Sequence, residues 1–300
     1  MPELAFPIID ATEWPLVESE QLGTKEKVWV EDPDGESWLF KQVRADDRGG
    51  VRGEDWAEKL AAEVAVALRL PAAEVELAVR PFAQGLPRGV LSRYMLPEGH
   101  ALTHGNELLG GRVAGYAQSR TGEVPGYTVA TCMEALDAFD VTPNAEVPDG
   151  ADARFLFAGY LVLDALVANT DRHHENWGVV QTLGRPPYIA PTFDHASSLG
   201  FQEPQDRKQR LLDIDSAAGW TTRARTKFEG KPHPIEVARQ ALGHLPRLQA
   251  DEWRERVKSV SLDWWRATLE RVPDELMSQV DRNFAYNIVR LNQEVLLDVC

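Results

Sequence analysis

The run Phe155-Leu-Phe-Ala-Gly-Tyr-Leu-Val-Leu-Asp-Ala-Leu-Val-Ala168 is apolar on nearly every side when wound as a helix. A helix with no polar stripe has to be covered all round. It therefore belongs at the centre of a large, mainly helical body, and the loop after it starts from a rigid base. That loop, Asn169-Thr-Asp-Arg-His-His-Glu-Asn176, is polar throughout; it leads into Trp177-Gly-Val-Val180 and, after a short gap, Ile189-Ala-Pro-Thr-Phe-Asp-His-Ala-Ser-Ser198.

The residue types in this segment suit one chemistry. Asp171 can orient and deprotonate an attacking hydroxyl, while Asn176 and Asp194 offer hard oxygen ligands to Mg²⁺ bridging nucleotide phosphates. Together they read as the metal and catalytic centre of an ATP-dependent phosphotransferase. A plain polar loop or a transition-metal hydrolase is the competing interpretation. Adjacent histidines rarely face one ion, and neither an H-E-x-x-H motif nor a Cys pair accompanies them, which disfavours the hydrolase.

The spacing of Asp171 and Asn176 resembles the D-x-x-x-x-N loop of protein kinases, and Asp171-Arg-His173 is similar to the D-R-H-x-x-N loop of phosphoinositide kinases. The N-x-D-x-H-x-x-N pattern of HipA-like Ser/Thr kinases is matched by Asn169, Asp171, His173 and Asn176. This resemblance, with landmarks over residues 20–200, implies an α+β, bilobal, protein-kinase-like fold. A small β-rich N-lobe, residues 1–97, would bind nucleotide phosphates; a larger helical C-lobe, residues 98–300, would carry the catalytic loop and metal site. It further implies ATP and Mg²⁺ as cofactors and a Ser or Thr hydroxyl of a protein as acceptor. His173 would hydrogen-bond Asp171 or the transferred phosphoryl group, or else hold the loop through the backbone. HipA-like kinases can act as toxins beside a small DNA-binding antitoxin, so an antitoxin-like protein partner is a further expectation. His195-Ala196 stands where protein kinases place Phe-Gly, a departure that bears on conformational switching rather than on chemistry.

Other candidate groups come from the first hundred residues. Two β-favouring runs, residues 28–30 and 38–43, flank the turn Asp32-Pro-Asp-Gly35, which suits a hairpin. The hairpin carries Lys41 inside an apolar strand, an expensive position for an idle ammonium, so Lys41 is the expected phosphate-handling cation. Residues 56–70 read as an amphipathic helix stopped by Pro71. At about 100° per residue, Glu63 falls near Trp56, Leu60 and Ala67, whereas Glu58 points almost opposite. Glu63 is therefore the expected counter-ion of Lys41, and a Lys and Glu in this order recur in the families resembled. Upstream, the loop holding Gly23 and Thr24 is similar to the HipA-type phosphate loop, with Thr24 as a candidate autophosphorylation site. The run Gly89-Val-Leu-Ser-Arg-Tyr-Met-Leu-Pro97 resembles an adenine-contacting hinge, in which Arg93, Tyr94 and Met95 would offer backbone groups to the base.

Charge and composition narrow the partners. With 47 acidic against 32 basic residues, the net charge is −15, and direct binding to nucleic acid is not expected. The basic concentrations Arg207-Lys-Gln-Arg210 and Arg223-Ala-Arg-Thr-Lys227 are either solvated surface or a local anion site for nucleotide or substrate. Two cysteines suit a reducing cytoplasm, and no apolar run approaches the roughly 20 residues of a membrane span. Trp253, Trp264 and Trp265 are expected to pack rather than stack on bases. The same catalytic residues would serve a kinase of an antibiotic, nucleoside or lipid head group, or an adenylylating enzyme with its nucleotide reversed. A pseudokinase or binding module is the non-enzymatic alternative.

Overall fold

The computed structural model describes residues 4–20, 27–45, 51–81, 85–118, 123–182, 184–214 and 216–299. Its amino-terminal part contains β1 (Ile8–Asp10), β2 (Leu16–Glu20), β3 (Lys27–Glu31), β4 (Ser37–Gln42), α1 (Glu54–Ala67), β5 (Val75–Val79) and β6 (Arg88–Arg93). The strands form one sheet in the order β1-β5-β6-β4-β3-β2, antiparallel except where β1 runs parallel to β5.

The β3–β4 hairpin forms where the turn residues place it. Asp32 accepts the Asp34 and Glu36 amides at 2.9 and 2.8 Å, and Gly35 adopts φ 85°, open to glycine without a steric cost. Alternation along β4 then sorts the side chains. Trp38 and Phe40 join Val30 and Leu91 in a cluster on one face of the sheet, so Lys41 emerges on the other, towards α1. Gly89 of β6 lets the neighbouring strand close up: a Cβ there would lie 2.3 Å from the Lys41 carbonyl oxygen.

Helix α1 is not a surface helix with one apolar stripe. Trp56, Leu60 and Val64 enter the main core, while Ala62 packs on Val75 and Val90 of the sheet. The helix lies between two layers and is covered by both, with Glu54, Asp55, Glu58 and Lys59 among its buried residues.

The rest of the chain comprises β7 (Ala101–His104), α2 (Gly105–Gly110), α3 (Val129–Leu136), α4 (Ala153–Val167), β8 (Gly178–Gln181), β9 (Tyr188–Ile189), α5 (Gln205–Asp213), α6 (Ala217–Thr221), α7 (Pro234–Gly243), α8 (Arg247–Ser259), α9 (Leu262–Glu270) and α10 (Gln279–Val299). The fold is thus mixed α+β, with a six-stranded sheet first and a mainly helical part after it. α4 lies at the centre as its composition requires: every residue from Phe155 to Val167 is buried. Trp253 stacks on Phe155 at 4.7 Å, and Trp253 and Trp265 are fully buried, so these rings pack as expected. None of the described helices is long and apolar enough to cross a membrane.

The structure departs from the sequence expectations in its short elements. β1, β2, the antiparallel sheet β7-β8-β9, α5 and α6 were not anticipated; several are too short to show a periodicity. The last helix begins at Gln279, after turns over residues 273–277, and the Val272 and Met277 carbonyls accept from the Arg282 guanidinium.

Lys208, within one of the two basic runs, is not solvated. It is buried on α5, its Nζ 2.6 Å from Asp281 Oδ1 on α10. Burial pushes the Asp281 carboxyl up, but Lys208 and hydrogen bonds outweigh it and hold the group below its ordinary value. The stability this contributes is present above the unfolded carboxyl pKa and is lost as pH falls through the folded one. Asp281→Ala, which strands a buried ammonium, is expected to cost about 3–5 kcal/mol in chemical denaturation at neutral pH. A loss under about 1 kcal/mol would mean that Lys208 finds water instead.

Candidate active site

Lys41 is the centre of the site. Its Nζ lies 2.7 Å from Glu58 Oε1 and 3.0 Å from Asp194 Oδ1. Burial drives the ammonium towards neutrality, but the Asp194 and Glu58 carboxylates outweigh it and keep its pKa above lysine's usual value. It is a fixed positive charge flanked by two carboxylates.

Glu63, the expected partner, is elsewhere. It pairs with Lys59 at 2.8 Å and lies 3.9 Å from Arg271. The helical projection failed because it assumed one buried face. The face marked by Trp56 and Leu60 turns to the main core, and Glu58, four residues before Ala62, turns to the sheet. Glu58→Gln is accordingly expected to lower any phosphoryl-transfer rate about 10–100-fold, the worth of a charge-assisted hydrogen bond. Glu63→Gln should leave that rate within about twofold in the same steady-state assay; the reverse ranking would make Glu63 the functional partner of Lys41.

Asp194 reaches Lys41 through a backbone detour. Thr192 forms a parallel bridge with Ala72: its amide donates to the Pro71 carbonyl at 2.9 Å, and its own carbonyl accepts from Ala73 at 2.9 Å. This stitches the segment to the start of β5. Asp194 itself adopts φ 58°, left-handed and costing about 1–3 kcal/mol for a residue with a Cβ. Next to it, His195 is fully buried with Nε2 2.7 Å from Thr192 Oγ1. Burial, reinforced by Arg172, holds its pKa well below the ordinary value, so the ring is a neutral prop.

The loop from Asn169 to Asn176 hangs from one carboxylate inside α4. Asp164 accepts from Arg172 Nε and Nη2 at 2.7 and 2.8 Å and from Asn169 Nδ2 at 2.8 Å. Arg172 Nη1 donates to the Asn176 carbonyl at 2.7 Å, and Asn176 Nδ2 donates back to the Asp171 carbonyl at 2.9 Å. Asn169 Oδ1 receives the Asp171 amide at 3.0 Å. Asn169, Asp171 and Asn176 are thereby held in one rigid turn. An aspartate in the middle of an apolar helix was the available signal for this clamp, because a buried carboxylate is costly unless paired.

The His173 ring does not hydrogen-bond Asp171, one of the roles the resemblance allowed, although the His173 backbone amide donates to the Asp171 carbonyl at 2.7 Å. Its Nδ1 lies 3.2 Å from the Glu175 amide that donates to it, so the ring holds the loop. Asp171 is instead met by Lys227, whose Nζ is 3.2 Å from Oδ1. The basic run ending at Lys227 was visible in the sequence, but not its contact with a residue so far upstream.

Arg93 and Tyr94 at the expected hinge have already used their amides, donating to Glu74 and Ser37 carbonyls at 2.9 Å each. With these two amides engaged, any backbone contact from Arg93 or Tyr94 to a base would come through their carbonyls. Met95, Leu96 and Leu102 pack against Val180, Tyr188 and Ala190 in one apolar cluster. Gly23 and Thr24 lie outside the described residues.

Among the described residues no group of three or more His, Cys, Asp or Glu could hold a metal ion. Asp194 and Asn176, the expected ligands, carry one carboxylate and one side-chain amide oxygen, donor types that would suit an ion completed by phosphate and water.

The structure superposes on that of a proinflammatory kinase, CtkA, from Helicobacter pylori, with a TM-score of 0.73 over 98% of this chain and 96% of that one, at 17% identity. The chain has a kinase-like fold. HipA of Shewanella oneidensis MR-1, solved with HipB and operator DNA, matches with a TM-score of 0.57 at 13% identity, over 96% of this chain and 69% of that one. A Golgi casein kinase solved with Mn/ADP bound gives 0.52 at 13% identity, over 96% and 74% of the two chains. No protein-family model and no curated protein sequence matches the chain.

Proposed function

We propose that the protein is an ATP- and Mg²⁺-dependent phosphotransferase that carries the γ-phosphoryl group to a Ser or Thr hydroxyl of a polypeptide. The observation that carries this is the Lys41 ammonium held between Glu58 and Asp194, on a kinase-like fold that also presents Asp171 on a clamped loop. Lys41 would steady the nucleotide phosphates. Asp171 would orient the acceptor hydroxyl and take its proton as the oxygen attacks phosphorus and the bond to ADP breaks. Mg²⁺, when bound by Asn176 and Asp194, would neutralise charge on the phosphate oxygens. Backbone groups from Met95 onward, beside the apolar cluster of Val180 and Ala190, would support adenine.

The HipA structure contains HipB, which motivates an antitoxin-like protein partner here; a surface of net charge −15 suits a basic one. Cys132 is buried and free, in keeping with a cytoplasmic protein.

Intact-mass spectrometry after incubation with Mg²⁺, ATP and candidate protein acceptors tests the reaction. A phosphate-sized increment on the protein or its acceptor, absent with Asp171→Ala, is expected. An AMP-sized increment would replace kinase chemistry with adenylylation. ATP consumption without any protein-bound increment would move the acceptor to a small molecule.

A further inference from the structure

Two cavities open side by side at the catalytic loop, and Thr170, immediately before Asp171, lines both. One, of about 250 Å³, is bounded by Ser198, Phe201, Trp220, Arg223 and Arg225 in addition. The other, of about 240 Å³, is bounded by Arg225, Lys227 and Lys231. A chain with 15 more acidic than basic residues thus collects four cations beside the loop that carries Asp171.

The acids in the same walls are engaged. Glu203 accepts from Trp220 Nε1 at 2.9 Å through Oε1, while its buried Oε2 is ion-paired with Arg207 at 3.1 Å without a hydrogen bond; Glu123 accepts the Gly230 amide at 2.9 Å and stands 3.8 Å from Lys231. Arg225 Nη1 donates to the Thr222 and Ala224 carbonyls at 3.0 and 2.7 Å, which anchors the guanidinium while leaving other N–H groups to donate. Ser198, one of the residues lining the first cavity, has a buried hydroxyl with no hydrogen-bond partner among the described residues.

We infer that these cavities form an acceptor-recognition site for an anionic side chain, carboxylate or phosphate, flanking the hydroxyl that is phosphorylated. The inference rests on the phosphotransferase function proposed above and names its acceptor class. A polypeptide whose Ser or Thr reaches Asp171 passes Thr170, and its neighbouring residues meet one cavity or the other. Cavities of about 250 and 240 Å³ are about 6–8 Å across, so at about 3.3 Å per extended residue each takes roughly two residues beside the hydroxyl, within a three-residue flank. Arg223 and Arg225 supply planar donors that match a carboxylate or phosphate in pairs. Lys227 and Lys231 supply point charges, and Lys227 is held at Asp171 until an acceptor takes its place.

The test uses the full chain with Mg²⁺, labelled ATP and peptides containing one Ser or Thr with Glu, phosphoserine, Ala or Lys at the three positions on each side. Intrinsic ATP hydrolysis, followed in parallel, reports the nucleotide chemistry independently of any peptide. Glu or phosphoserine peptides are expected to exceed Ala peptides by about tenfold in kcat/KM, mainly through KM, with Lys peptides lowest. The two anionic sets separate carboxylate from phosphate as the group read. The double variant Arg223→Glu, Arg225→Glu is expected to reverse the order and favour Lys peptides, an outcome that misfolding cannot produce. A flat ranking, a wild-type preference for Lys, an order unchanged by the charge reversal, or ATP hydrolysis without transfer to any peptide would overturn the inference. Absence of ATP hydrolysis as well as transfer would instead overturn the proposed function beneath it.

Discussion

Asp171→Asn is expected to reduce phosphoryl transfer to under about 1% of the wild-type rate while leaving the Mg²⁺–ATP dissociation constant within about threefold. The rate effect is the general-base contribution, about 10²–10⁴-fold, removed without moving the backbone. The backbone stays because the Asp171 amide is held by Asn169 and its carbonyl by Asn176, neither of which uses the carboxylate. Nucleotide binding is spared because Lys41 and Asp194 meet each other, not Asp171. The comparison variant Asp194→Asn should lose both transfer and metal-dependent nucleotide binding, since it removes the carboxylate that faces Lys41. Single-turnover transfer and calorimetric titration of nucleotide separate the two. Near-normal turnover in Asp171→Asn would remove this residue from the chemistry.

The second large effect is expected far from any substrate. Asp164→Leu should destabilise the fold by about 3–5 kcal/mol in denaturant, because it leaves the Arg172 guanidinium buried and without its counter-charge. Arg172 is 1% exposed and cannot turn to water. Burial works against its charge, and the Asp164 carboxylate more than compensates, holding the guanidinium pKa above its usual value. Transfer should fall together with stability, since Asn169, Arg172 and Asn176 are all positioned through this clamp. Pairing the change with Arg172→Met should recover most of the stability, as apolar replacements of buried ion pairs do, but not the transfer. Stability restored together with full activity would show that the loop does not depend on the clamp for its shape.

Much of the framework was legible because it is local. The turn at Asp32 to Gly35 specifies a hairpin through side-chain-to-backbone bonds within four residues, and that hairpin is present. The apolar run of α4 required a central position and has one. The polar loop after it carried the candidate groups in a recognisable spacing. The strands of the second sheet were illegible for the opposite reason: two to four residues carry no periodicity, and their pairing depends on partners up to 80 positions away, as between Ala101 and Gln181.

The misassigned glutamate shows where sequence inference ends. A hydrophobic projection reports a single averaged apolar direction, which is sufficient for a helix with one covered face. α1 is covered on two, so the projection favoured the face turned to the main core and overlooked Glu58 on the face turned to the sheet. The ion pairs of the site have the same dependence on the path of the chain. Lys41 meets Asp194 across 153 residues, Asp171 meets Lys227, and Lys208 meets Asp281, each through a close approach that neither partner's surroundings in the sequence encode. The sequence by itself determined which residue types could bind phosphate, metal and a hydroxyl, and which helix had to be central, because these follow from side-chain chemistry and local periodicity. Which carboxylate holds Lys41, what faces Asp171 and where the basic loop gathers were decided only by tertiary structure, because ion pairing depends on distances of a few ångströms that the fold, not the order of residues, sets.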